Sequence, residues 1–150
     1  MAGDEAMIVD WPLPASDGEN GGFWTSARRG VLSIQSCVSC GRLRHLPRPM
    51  CPWCRSLERT WTAVSGTGKV WSYVVPHPPL LPAFAPLAPY NVVVVALAED
   101  PSIRLVGNLV SSVDGAINEV TVDEHTIGLA VRAVFAPMAD DVALVRWMPF

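Results

Sequence analysis

The sequence predicts a mainly β protein, a small metal-binding module followed by a five-stranded barrel of the OB type, and two observations predict it. Residues 66–150 hold five runs rich in β-branched or aromatic residues, separated by Gly, Pro, Asp or Asn, and no confident long helix. Five short strands of this kind suit a small closed or nearly closed barrel. Upstream, all four cysteines fall within eighteen residues, CVSCGRLRHLPRPMCPWC at 37–54, as two C-x-x-C pairs separated by ten residues. Two such knuckles offer four thiolates to one tetrahedral ion.

Taken in order, residues 1–18 mix acids, Pro and Gly with little periodicity and are expected to form a flexible tail. Residues 19–36 read as a short helix and a lead-in strand. The helix, ENGGFWTSARRG, puts Phe23, Trp24 and Ala27 on one side and stops at Gly30, and 31–35 alternates as a strand. Residues 37–65 form the cysteine module. Gly41 follows the first pair, where a knuckle needs positive φ, and Pro47 and Pro49 stiffen the excursion between the pairs.

A four-cysteine set leaves no open coordination position, so Cys37, Cys40, Cys51 and Cys54 are read as ligands of one structural Zn2+, although tetrahedral sulfur also suits iron. A redox pair at Cys51-Pro-Trp-Cys54 would sit between a buried strand and a helix, whereas a Pro- and Arg-rich loop precedes it here. Disulfides would suit a secreted protein, and no export signal is visible. His45 is read as a solvent-facing loop residue and not as a fifth ligand.

The barrel occupies 66–150, with strands expected at 69–75, 91–98, 102–110, 129–135 and 142–148. Gly66 and Gly68 precede a strand and not a helix, so they mark a turn or bulge and not a phosphate cradle. Residues 76–90 carry six prolines, no charge, and the apolar Leu80, Leu81, Phe84 and Leu87. Such a loop either folds back over the barrel mouth or meets a partner chain or acyl ligand, and the second reading is favoured. Residues 111–126 form a turn plus a short strand or helical link. His77 and His125 stand without acids or cysteines at catalytic spacing, and Asp123-Glu124-His125 reads as a solvated turn.

Charge is unevenly placed. Residues 1–27 hold five acids and no base, residues 28–69 hold eight bases against Glu58 alone, and residues 70–150 hold three bases and eight acids. The cysteine segment is a basic island in a chain of net charge −3, which suits a phosphate-bearing ligand, a nucleic acid or an acidic partner. A single-stranded nucleic-acid binder is the alternative that ribbons and barrels invite. Against it, 66–150 is net acidic, and Trp71 and Tyr73 are its only strand aromatics before the last two strands. No Ser/His/Asp set and no G-x-x-x-x-G-K-[ST] loop is present, so no catalytic residue is assigned. The longest apolar run is too short to span a bilayer, and a cytoplasmic protein is expected.

Phe23-Trp24, Cys37-x-x-Cys40-Gly, the Pro-Arg-Pro before Cys51-Pro-x-Cys54, Ser65-Gly-Thr-Gly68-Lys-Val-Trp-Ser-Tyr73 and Gly128-Leu-Ala-Val-x-x-Val-Phe together resemble the DUF35 family across residues 19–150. The resemblance implies a rubredoxin-like zinc ribbon followed by an OB fold. It also implies a non-catalytic, acyl-CoA-associated accessory subunit of a thiolase-superfamily enzyme, a thiolase, synthase or steroid side-chain aldolase. On that footing Arg42, Arg44 and Arg48 are candidates to meet the phosphates of CoA or acids on the partner.

Overall fold

The computed structural model describes residues 11–150. A 3-10 turn at Gly18–Asn20 leads into the helix α1 (Gly21–Arg28). The helix ends at Gly30 as its sequence requires. Gly30 takes φ of 74°, its N–H donates to the Ala27 carbonyl, and the Val31 N–H donates back to Ser26. Gly22 lies against the Trp61 indole, so closely that a Cβ there would fall 2.0 Å from the ring nitrogen.

Three antiparallel strands follow as a small sheet in the order β2-β1-β3: β1 (Ser33–Cys37), β2 (Leu43–Arg44) and β3 (Arg59–Ala63). The lead-in strand thus runs two residues later than its alternation indicated and delivers Cys37 directly. β2 and β3 were not foreseen: RTWTA and a two-residue pair carry too little apolar alternation to register.

The remaining strands are β4 (Thr67–Val74), β5 (Val92–Leu97), β6 (Arg104–Gly107), β7 (Ala130–Ala139) and β8 (Val142–Pro149). They form one antiparallel sheet in the order β6-β5-β4-β7-β8. Its ends meet where Leu109 bridges Trp147 in parallel. There the Val110 N–H donates to the Trp147 carbonyl and the Trp147 N–H to Asn108, each at 2.9 Å. A three-strand meander with a parallel closure between third and fifth strands is the OB arrangement that the five runs predicted. β7 runs four residues past its expected end, through Pro137, because the hairpin with β8 absorbs that proline at a register shift between Pro137 and Ala139. Gly66, with φ of 77°, makes the expected turn. Gly68 instead sits within β4, where a Cβ would fall 2.3 Å from the Ala96 carbonyl oxygen and block the approach of β5.

The core is shared. Leu32 and Ile34 from the lead-in to and body of β1 pack in the same buried cluster as Val70, Val93, Val95, Leu97 and Trp147 of the barrel. The tail expected over 1–18 lies outside the described residues up to residue 10. From there on, Trp11 packs 5.0 Å from the Phe84 ring and Ser16 donates to the Asp141 carboxylate. Among the described residues no helix is long and apolar enough to cross a membrane.

Candidate metal centre and the cleft beside it

The two knuckles repeat one backbone design. The N–H of Gly41 donates to the Cys37 carbonyl at 2.8 Å, and that of Arg55 to the Cys51 carbonyl at 3.0 Å. The N–H of Cys37 donates to the Arg42 carbonyl, and that of Cys51 to Ser56. The residue after each pair takes positive φ, 75° at Gly41 and 63° at Arg55. Only the first was foreseen, because an arginine gives no sign that it will adopt a left-handed conformation. Gly41→Val is therefore expected to cost about 1–3 kcal/mol, and Arg55→Gly to gain about 1 kcal/mol by relieving the same strain. Opposite shifts in the thermal midpoint of the metal-loaded protein would show it.

These knuckles bring all four cysteine sulfurs within 4.8 Å of one another. Cys37 and Cys54 have sulfurs 3.5 Å apart, and Cys40 and Cys51 3.7 Å apart. Sulfurs about 2.3 Å from a tetrahedral ion stand roughly 3.8 Å from each other, so the set fits such an ion. The gaps are far beyond a disulfide bond of about 2.05 Å. The amide of Cys40 holds the Cys37 thiol down to about 6, and that of Cys54 lowers Cys51. At Cys54 the Ser56 amide also lowers the thiol, but contact with the Cys37 sulfur and desolvation outweigh it and push it up to about 11. Four sulfurs this close cannot all be thiolates without a cation among them.

Behind the knuckles, Gln35 is a buried polar hub. Its Oε1 accepts from Arg44 Nε at 2.6 Å and from the Arg48 N–H at 2.8 Å. Arg44 also donates to the Arg48 carbonyl at 3.1 Å and is only 4% exposed. Of the three arginines, then, Arg44 is turned inward and tied into the ribbon, while Arg42 and Arg48 are exposed. Arg42 sits over the Trp53 indole, 5.1 Å from its centroid. His45 does not face solvent as expected: it is half-buried beside Phe23, at 6.4 Å between rings, and burial lowers its pKa.

These residues border a cleft of about 470 Å³ between ribbon and barrel. Arg42, Leu43, Leu46, Arg48, Pro52 and Trp53 form one wall, and Asp100, Ser102 and Ile103 of the β5–β6 turn form the other. The cleft itself was not legible beforehand, since its two walls lie fifty residues apart in sequence. Elsewhere, Leu80, Phe84 and Leu87 of the Pro-rich loop are half-buried while Leu81 is exposed, and Phe84 lies between Trp11 and Tyr90. Asp123-Glu124-His125 opens a 3-10 turn in which the Asp123 side chain accepts from the His125 N–H at 2.9 Å, and the His125 side chain is exposed.

The zinc-ribbon and barrel assignments are matched by two family models. The rubredoxin-like zinc ribbon domain of ChsH2 matches residues 24–58, and the C-terminal OB-fold domain of ChsH2 matches residues 61–136. The chain belongs to the ChsH2 family. Among solved structures, a chain of an Ltp2-ChsH2(DUF35) aldolase superposes with a TM-score of 0.73 at 34% identity, covering 91% of this chain and 98% of that one. The expected DUF35 membership is thus shown. A DUF35-family protein of unknown function from Sulfolobus solfataricus, at 14% identity and a TM-score of 0.54 over 97% of this chain and 92% of that one, shares the fold. A probable enoyl-CoA hydratase alpha subunit of Thermomonospora curvata is 43% identical over 99 residues, 66% of this ChsH2-family chain and 30% of that protein. The 3-oxo-4,17-pregnadiene-20-carboxyl-CoA hydratase alpha subunit of Mycobacterium tuberculosis is 29% identical over 136 residues, 91% of this chain and 39% of that protein. The chain therefore spans about a third of the length of these curated relatives.

Proposed function

We propose that this chain is a non-catalytic, acyl-CoA-associated subunit that binds and supports a thiolase-like acyl-CoA aldolase or thiolase, in the breakdown of steroid or other bulky acyl-CoA side chains. The observation that carries the reading is the likeness to a chain of an Ltp2-ChsH2(DUF35) aldolase, over 98% of that chain. The hydratase subunits of the curated relatives are named for CoA substrates, which supports an acyl-CoA setting.

On this reading the four cysteines hold one structural Zn2+, whose four positions they fill, so that the ion lends rigidity and no open site for substrate. The reacting groups belong to the thiolase-like chain, and acyl-CoA is shared at the interface. Leu80, Leu81, Phe84 and Leu87 contribute apolar surface toward the partner or the acyl group. Arg42, Arg44 and Arg48 mark the side from which phosphates or partner carboxylates approach, with Arg44 shaping the wall from within.

Co-expression with the thiolase-like subunit of the same organism tests this. The two chains are expected to elute together as a hetero-oligomer, and the aldolase or thiolase turnover of the partner to fall at least tenfold when this chain is left out. Separate elution together with unchanged turnover and thermal midpoint of the partner would overturn the proposal.

A further inference from the structure

The geometry points to the cleft between ribbon and barrel as the place where a segment of the partner enzyme docks, one that pairs aliphatic side chains with carboxylates; this rests on the function proposed above and says where and by what chemistry the subunits join. The site has the charge for it. Among the described residues the only ion pairs are Arg59 with Glu19 and His125 with Glu124, so neither Arg42 nor Arg48 has a carboxylate within 4 Å. Both guanidinium groups line one wall in the basic part of an otherwise acidic chain. Carboxylates from outside would supply the missing counter-charges in the bidentate geometry that arginine favours.

The same wall is apolar. Leu46 is 66% exposed and Trp53 51% exposed, and both line the cleft together with Pro52 and the arginines. Exposed aliphatic and aromatic groups together with arginines form the composition of a protein interface centre, where Trp and Arg are enriched. A phosphate-bearing ligand fits the cleft less well. Asp100 stands in the opposite wall, its Oδ1 accepting from the Ser102 N–H and hydroxyl, and its charge opposes the multiple charges of a phosphate group more than the single charge of a carboxylate. The Arg42 guanidinium already lies over the indole on which a base would stack. Arg44 spends its Nε and one terminal nitrogen on Gln35 and the Arg48 carbonyl.

The test is a titration of the metal-loaded full chain against the thiolase-like subunit of the same organism, with acyl-CoA kinetics of the resulting complex. Arg42→Glu and Arg48→Glu are expected to weaken the complex at least tenfold each, and Leu46→Asp similarly. Arg104→Glu, on the outer face of β6 and stacked over Trp71, is expected to change it less than twofold. At saturating subunit concentration the KM for acyl-CoA is expected to stay within twofold in every variant. Unchanged circular dichroism and zinc content establish that the variants are folded. Unchanged affinity with a raised KM would assign the arginines to phosphate and overturn the inference while leaving the proposed function standing. A loss with Arg104→Glu as large as with Arg48→Glu would move docking to the barrel face and also overturn it. If the wild-type chain forms no complex at all, the function proposed above falls, and this inference with it.

Discussion

Replacing Cys51 by serine is expected to abolish the metal site, unfold the ribbon and lower the stability of the whole chain. Cys51 is fully buried, and the main-chain bonds of the second knuckle run through it, its N–H donating to Ser56 and its carbonyl accepting from Arg55. Binding of structural zinc supplies about 10–16 kcal/mol in isolated finger peptides at neutral pH, so a site short of one thiolate forfeits most of the free energy that orders the knuckles. The damage does not stop at the ribbon. β1 carries Cys37 at its end and Ile34 within it, and Ile34 with Leu32 lies in the same buried cluster as the barrel valines. A frayed β1 opens that cluster, and a loss on the order of 5 kcal/mol or more rivals the total stability of a domain. The wild-type thermal midpoint is expected to fall with a zinc chelator and to recover with added Zn2+, whereas Cys51→Ser starts low and responds to neither. A variant that melts with the wild type would count against the metal centre. Lowering the pH should also release the ion, since every ligand must be a thiolate to bind.

On the function proposed above, that linkage gives the metal a structural role, with no chemistry at the sulfurs. The ribbon holds Arg42, Arg48 and Trp53 on the excursion and second knuckle, and the barrel supplies the opposing wall. An ion that stiffens the knuckles fixes the wall they carry, so metal loss is expected to reach partner binding by way of geometry.

The cysteine cluster, the helix stop and the five strands of the barrel were legible because each rests on local chemistry. Paired cysteines announce a tetrahedral site through spacing alone, Gly30 ends α1 through its own backbone freedom, and alternating β-branched runs mark barrel strands. What was not legible depends on tertiary pairing. Arg44 reads as a surface cation until Gln35, nine residues earlier on the adjacent strand, is seen to accept from it. His45 reads as a loop histidine until Phe23 of α1 arrives beside it. Pro137 argues against a strand unless the hairpin's register shift is known. Asn91 reads only as the first residue of the strand expected at 91–98, and it proves to be the polar group that bonds across the barrel seam to Leu109.

Asn91→Leu is accordingly expected to cost about 3–5 kcal/mol, a loss out of proportion to a near-isosteric change. Asn91 is 1% exposed. Its Nδ2 donates toward the carbonyls of Leu109, Ile117 and Val120 at 2.8, 3.0 and 3.0 Å, and its Oδ1 accepts from the Leu109 N–H at 2.6 Å. Its own carbonyl accepts from Asn108 Nδ2 at 2.5 Å. One side chain thus fastens the irregular segment after β6 to the start of β5, and it fixes Leu109 where that residue bridges Trp147 and shuts the barrel. Leucine fills the space but leaves the Leu109 N–H and the carbonyls of Leu109 and Val120 without the partner that the amide supplies. Asn91→Asp separates this account from one based on shape. A carboxylate at that position faces carbonyl oxygens and is desolvated, so its folded pKa must lie above the unfolded value of about 3.9. The protonated form can still donate, hence the variant keeps most of its stability below about pH 4 and loses it as pH rises through the raised folded pKa. Urea unfolding of Asn91→Asp is expected to show a midpoint that falls between pH 4 and 7 relative to wild type, with Asn91→Leu offset by a constant amount across that range. Equal pH dependence in the two variants would mean that the Asn91 amide fills space at the barrel seam without bonding across it.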